Sequence, residues 1–455
     1  MGSPILSVLV DILVLLPLLG ALLVRLSGHN AIWGRKASLG VFWSEFILSL
    51  TAWKILVGKG LPGSSWMMLS VLVLAALCIP IGVISRGDAC QGDRKSLPVL
   101  SLLLLFFSAG FLLSPSPIWS IVFWSGGLFT VSMLVNAFPC DREERRETWR
   151  LPILMSLILF PVSQALSGHL PGFPLGGLSS VTRGAFGFAS LAFLMFCPFF
   201  PFQRWLSFVP VSGKIVPWIA SRFALLFLSA FGILRWAFPL ELPSFSEGWP
   251  VLLGLSLLAQ IQGAVQALKE PVLRKRLSVV VFSQTTLLVP ALFLAGRDHP
   301  WVVIVLVFSF MLPALLLAIV TEHLEDETRR QRFRDWSGLY RVMPKADRLF
   351  LIASLGFSAV PGFGAFSEAV LIGKEFTSPS LWIWSLLPLP GIVLVQSILW
   401  QSWESIFLGP FQERALIPRD ISLPTAMKLA IFLLPVLFLG IWPDVLGGFP
   451  WKGTP

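Results

Sequence analysis

The sequence predicts an all-α polytopic membrane protein of about fourteen transmembrane helices, and three observations predict it. Hydrophobic residues make up 55% of the 455 and charged residues 13%, with a mean hydropathy of +0.81, which leaves too little polar surface to coat a water-soluble fold. Apolar stretches of roughly 20 residues, the length that crosses a bilayer as a helix, recur along the whole chain, with little left over for a soluble domain. Lys and Arg alternate between successive connections as membrane sidedness requires.

The stretches, divided by charges or by Pro/Gly clusters, fall near 5–24, 37–57, 66–85, 97–113, 117–138, 151–168, 184–202, 215–234, 249–268, 277–296, 301–320, 349–373, 381–401 and 426–447. The first is read as a retained helix rather than a cleavable signal, because no positive charge precedes it while Arg25, Arg35 and Lys36 follow. Connections after odd-numbered spans, counted with Lys428 at the start of the last span, hold 26 of the 34 Lys and Arg, and those after even-numbered spans, counted with Lys54 near the end of the second, hold 6. Lys452 at the C-terminus and Arg222 inside the eighth span complete the count. This is a positive-inside pattern, and it predicts a multi-pass protein of the cell inner membrane with both termini on the non-cytoplasmic side.

The same pattern accounts for the net charge of +10 without a nucleic-acid partner. Two connections are strongly charged, Asp141 to Arg150 and Glu322 to Arg348, and both belong on the cytoplasmic face. They read either as solvated determinants of topology or as a docking surface for a partner. For docking, the candidates are Arg329, Arg330, Arg332 and Arg334, beside the aromatic-bearing segment Trp336 to Tyr340.

Two spans carry helix breakers in mid-membrane: Pro198 and Pro201 in the seventh, and Pro361, Gly362 and Gly364 in the twelfth. Proline removes a backbone donor that lipid cannot replace, so such breaks are expected where protein or water satisfies the freed groups. The breaks lie five spans apart. An odd-numbered unit reverses its orientation on duplication, so the order predicts two inverted five-helix repeats with broken helices seven and twelve. The expected organisation is a single membrane domain over 1–455, with N-terminal helices in 1–96, repeats in 97–236 and 249–402, and a last helix in 426–447.

Ionisable residues more than four positions inside either end of a span are few: Asp11, Glu45, Arg222 and Glu368. Asp11 and Glu45 precede the repeats and read as a buried structural pair or as interfacial positions. Arg222 and Glu368 are the candidates for an ion path, with Gln203 and Gln284 as neutral polar groups able to hold water, among further glutamines at 260, 262, 266 and 396. The four cysteines and four histidines form no ligand set, so no metal and no cofactor is expected. No Ser/His/Asp arrangement or converging carboxylate pair marks a catalytic site.

Several motifs then appear in a characteristic order: PFFPFQRWL (198–206), GILR (232–235), RKRLSVVVFSQ (274–284), DWSGLYRVMP and FLIASLGFSAVPGFGAF (335–366), FLGPFQE (407–413), and a last helix ending in GIWPD (440–444). In order and spacing they resemble the antiporter-like subunits of respiratory complex I, membrane-bound hydrogenases and Mrp-type cation/proton antiporters, most nearly the M type, over residues 95 to 447. The resemblance implies a proton or cation path through an acid in helix five, lysines in helices seven and eleven, a Lys or His in helix eight and a Glu or Lys in helix twelve. Carried onto this chain, those positions are Ser125, Phe196, Pro313, Phe227 and Ala369. Glu368, one residue from the last, is the surviving charged group.

The resemblance therefore implies a proton- or cation-translocating membrane subunit of a complex I-like (NADH:quinone oxidoreductase or hydrogenase-type) assembly, degenerate in its titratable groups and acting as scaffold. Its partners would be the other membrane subunits and the lipid bilayer. The alternative is the membrane half of a secondary ion or inorganic-carbon transporter with a soluble cytoplasmic partner docked on the basic loop.

Overall fold

Backbone groups in hydrocarbon must be satisfied within the chain, and the apolar stretches are helical throughout the described residues. A computed structural model describes residues 4–26, 31–58, 96–114, 116–136, 142–166, 179–197, 215–237, 249–294, 300–357, 360, 362–363, 366, 388–410, 418–431 and 433–441. The third predicted span, 66–85, lies outside them, as do Glu368, Gln203, Pro198, Pro201, Pro361 and Gly364. The chain divides into two compact units, one of residues 1–196, 210–243 and 448–455, the other of 197–209 and 244–447.

The first unit holds α1 (Pro4–Leu26), α2 (Ala31–Gly58), α3 (Ser96–Leu113), α4 (Pro117–Asn136), α5 (Arg142–Leu166), α6 (Ser179–Leu194) and α7 (Ile215–Gly232), which ends in a π-turn, Ile233–Ala237. The second holds α8 (Trp249–Lys269), α9 (Leu273–Thr285), α10 (Leu288–Leu294), α11 (Pro300–Thr328), α12 (Pro344–Phe357), α13 (Leu389–Phe407), α14 (Leu423–Ile431) and α15 (Leu434–Ile441). Among the described residues, six stretches are long and apolar enough to cross a bilayer: Val8–Leu26, Lys36–Leu56, Pro117–Leu134, Trp218–Ala237, Val251–Lys269 and Leu306–Thr328.

Two expected spans are each divided. The tenth, read as 277–296, starts earlier at Leu273 and splits into α9 and α10. Pro290 offers no N–H to the Thr286 carbonyl and its ring crowds that group, so the α-helix stops and restarts with the proline in its first turn. The gap is closed by shorter-range bonds, Leu287 N–H to Gln284 O at 3.3 Å and Val289 N–H to Thr286 O at 3.2 Å. The last span divides between α14 and α15 for the same reason, with Pro435 four residues after Ile431.

The two charged connections are also less loop-like than expected. Residues 142–150 form the first turns of α5, and Glu322 to Thr328 continue α11.

Helices α3 and α4 pack through a reciprocal contact between glycine and phenylalanine. A Cβ on Gly110 would lie 2.3 Å from the Phe123 ring, and one on Gly126 would lie 2.2 Å from the Phe107 ring. Each glycine is thus the seat of a ring from the other helix. Gly126→Ala is expected to lose about 1–3 kcal/mol to overpacking, read as a lowered Tm in detergent. Gly127→Ala is the control, because its Cβ would meet Phe107 only at an ordinary 3.7 Å.

Candidate functional site

The centre of the first unit is aromatic. Phe111 of α3 has its ring centroid 5.2 Å from Trp124, 6.4 Å from Phe160, 6.1 Å from Phe193 and 6.1 Å from Phe231. These rings come from α4, α5, α6 and α7, so five helices contribute to one cluster. Phe193 also lies 4.9 Å from Phe160 and 5.0 Å from Trp124, and Trp124 lies 5.8 Å from Phe196. All six side chains are buried. The one polar edge of the cluster is satisfied: the Trp124 indole N–H donates to Ser156 Oγ at 3.0 Å.

This cluster occupies the place where the family pattern implies titratable groups. Ser125 follows Trp124 directly, Phe196 is a member, and Phe227, also buried, lies one turn before Phe231 on α7. Contacts at the backbone hold the rings in place. Ser229 Oγ donates to the Phe193 carbonyl at 2.6 Å. Gly232 admits the Phe193 ring so closely that a Cβ there would lie 2.4 Å from it.

Arg235, noticed in the sequence only as the end of GILR, closes this core from above. Its guanidinium donates to the carbonyls of Phe111, Leu112 and Ser114. Those carbonyls belong to the end of α3, where a helix leaves acceptors without intrahelical donors and where a cation is favoured. The guanidinium also lies 5.1 Å from the centroid of the Trp236 ring. Arg222, the first candidate for an ion path, is buried in α7 with its guanidinium 4.6 Å over the Trp218 ring.

In the second unit the sequence candidates are distributed differently. Gln284 ends α9 fully buried, and both atoms of its side-chain amide are without a hydrogen-bond partner among the described residues. Gln260 of α8 is in the same state. Its backbone carbonyl accepts from Ser283 Oγ at 2.6 Å, and its side chain fills the space that Gly391 of α13 leaves. Pro313 lies within α11, where its ring packs near Gly356. Gly362 adopts a left-handed backbone (φ +96°) in a turn after the end of α12, and the helix does not run through it. A Cβ on Gly440 would lie 2.3 Å from the Gly362 carbonyl oxygen, so α15 reaches the turn backbone itself.

The basic segment is not the solvated loop that its composition suggests. Arg274 and Arg276, expected in a cytoplasmic connection, are buried in the first turn of α9. The Arg274 Nε donates to Glu325 Oε1 and Oε2 at 3.1 and 3.0 Å, and its Nη2 also bonds Oε2. Arg276 stacks 4.5 Å over the Phe333 ring and donates to Gln401 Oε1 at 2.6 Å. An isolated bridge pairs Val272 with Arg332, and the Trp336 indole donates to Thr328 Oγ1 at 2.9 Å. Burial pushes the Asp347 carboxyl above the usual carboxylate range, against the Trp403 N–H, which donates to it at 2.7 Å, and the neighbouring Arg348.

Of the expected docking residues, Arg329, Arg330 and Arg332 are exposed on this pinned segment, and Arg330 donates to the Asp335 carbonyl at 2.8 Å. The Arg334 side chain lies outside the described residues.

With that geometry in place, the chain can be compared with known proteins. The family model described as NADH:quinone oxidoreductase/Mrp antiporter, transmembrane, matches residues 64–394. The chain belongs to that family. The NADH-quinone oxidoreductase subunit M of Rickettsia bellii is 23% identical over 264 residues, which is 56% of this chain and 51% of the relative. The match therefore spans about half the length of that subunit. Among solved structures, a chain of the Mrp complex from Dietzia sp. DQ12-45-1b superposes with a TM-score of 0.78 at 15% identity, covering 98% of this chain and 96% of that one. A chain of respiratory complex I from Thermus thermophilus with bound NADH superposes with a TM-score of 0.76 at 18% identity, covering 96% of each. At these identities the likeness is one of fold, and the antiporter-like chain is a helical membrane protein by that fold and by its own spans.

Proposed function

We propose that this antiporter-like chain is a transmembrane subunit of a complex I-like or Mrp-like multi-subunit assembly of the inner membrane, in which it serves as scaffold and lateral contact rather than as a pump. The observation that carries the reading is the aromatic core. A proton relay needs groups that titrate near working pH and lie within reach of each other through water. Phe196 and Phe227 do neither; both are buried, and the Phe196 ring packs against Trp124. The solved structures that share the fold are chains of complexes, which favours other membrane subunits as partners.

The finer architecture belongs to the same proposal: fourteen crossings, inverted five-helix units over 97–236 and 249–402, and both termini away from the cytoplasm. The boundary between compact units at 243/244 falls between the eighth and ninth expected spans, in keeping with that division. Glu368, Arg222, Gln284 and Gln203 are what remains of a path. The exposed Arg329, Arg330 and Arg332 favour an acidic contact on the cytoplasmic side.

Two measurements test the proposal. Purification from the native membrane is expected to yield a stable complex of several membrane subunits; the chain alone, or with a single soluble partner, would favour the secondary-transporter alternative. In vesicles holding the purified assembly, Glu368→Gln and Arg222→Ala are expected to leave ion flux unchanged. A loss of flux in either variant, at equal content of assembled protein, overturns the scaffold reading.

A further inference from the structure

We propose that Glu45 is a proton-binding site built into the first helical hairpin, a carboxylic acid kept neutral inside the membrane. The site lies outside both five-helix units, so it stands whether or not an inherited path conducts. The sequence suggests a pairing of Glu45 with Asp11, and the structure separates them: Asp11 is exposed, whereas Glu45 is fully buried.

The buried stripe of α2 runs Ser38, Phe42, Glu45, Ser49, Ala52, Leu56, alternating four and three residues, and Glu45 sits in its middle. Neither carboxyl oxygen has a hydrogen-bond partner among the described residues. Among the described elements, those packed most against α2 are α1 and α3. The only ionisable side chains on α1 are Asp11 and Arg25, both exposed, and α3 has none. On α2 itself Lys36 and Lys54 are exposed, and Arg35 lies ten residues before Glu45, roughly 15 Å along the axis.

An ionised, unpaired carboxylate in such a place is penalised by several kcal/mol, whereas the neutral acid has a single O–H to place. The hairpin offers an acceptor at the right level. Gly20 of α1 faces Val41 of α2, and the short connection makes the two helices antiparallel. One turn along α2 from Val41 is Glu45, and one turn back along α1 from Gly20 is Pro17. Pro17 offers no N–H to the Leu13 carbonyl, which stands at about the height of the buried acid.

A buried neutral acid has a diagnostic reaction with a hydrophobic carbodiimide. The acid's proton passes to one carbodiimide nitrogen and the carboxyl oxygen bonds the central carbon. The acyl group then shifts from oxygen to nitrogen, leaving a stable N-acylurea with no atom lost and no change of oxidation state. The full chain in membrane vesicles is treated with dicyclohexylcarbodiimide at about pH 8, where exposed carboxyls are ionised, then digested and mapped by mass spectrometry.

The peptide containing Glu45 is expected to carry the adduct, with essentially complete loss in Glu45→Gln. A water-soluble carbodiimide is expected to label it several-fold more slowly. An unmodified Glu45 peptide in the parent chain, or equal labelling by the soluble reagent, overturns the proposal. The mapping on the parent chain decides this even where the variant fails to assemble.

Discussion

Glu325→Ala is expected to lower the stability of the folded chain by about 3–5 kcal/mol, the usual consequence of removing one partner from a buried ion pair. The side chains of Arg274 and Glu325 are only 7% and 6% exposed. The buried guanidinium therefore loses the carboxylate that it bonds through Nε and Nη2. The loss should appear as a large fall in Tm in detergent and in the yield of monodisperse protein on size exclusion. Arg274→Met with Glu325→Leu removes both charges at similar volume and is expected to recover most of it, since replacing a whole buried pair by apolar groups is often neutral or better. If the single and double variants melt alike, the pair contributes packing alone.

The effect should also spread, because the pair closes a small latch. Arg274 opens α9 and Glu325 stands near the end of α11, while the chain between α11 and α12 returns across both. It is held there by the Leu273 N–H to Gln331 O bond at 3.0 Å, the Phe333 N–H to Pro271 O bond at 3.2 Å and the Arg276 stack on Phe333. Breaking the ion pair is thus expected to release the exposed but pinned Arg329–Arg332 segment, so that trypsin cuts there faster, as well as to lower the melting point.

The latch also marks the limit of what the sequence discloses. Apolar length located the helices, because lipid imposes it residue by residue along the chain. Composition placed Arg274 and Glu325 in water, because their compensation comes from a residue 51 positions away and leaves no local pattern. Arg235 is a similar case, acting on carbonyls more than 120 residues upstream. The breaks before Pro290 and Pro435 were visible in principle, through the rule that a proline removes the bond to the residue four before it. Their apolar surroundings made each stretch read as a continuous span. Glu45 shows the converse: its presence in a span is legible, its lack of a partner among the described residues is not, since that depends on what α1 and α3 present.

Phe196→Lys is the second large effect, and it asks whether any water remains where the family places its relay. In a chain whose path is hydrated, a lysine at this position is solvated and carries protons. Here the ammonium would enter a buried cluster with the Trp124 ring 5.8 Å from the ring it replaces. The Trp124 N–H is already given to Ser156. An unpaired charge in that setting is expected to lower stability by about 3–5 kcal/mol or more, whereas Phe196→Leu, apolar and not far in volume, should lose under about 1.5 kcal/mol. Adding Ser125→Glu supplies a carboxylate beside Trp124 and is the fair test of the core as a plug. If the double variant is as unstable as Phe196→Lys and moves no ions in vesicles, the rings exclude the water that a relay needs. If it folds at parental stability and conducts, water reaches position 196 after all, and the aromatic side chains merely occupy a passage that the helices still hold open.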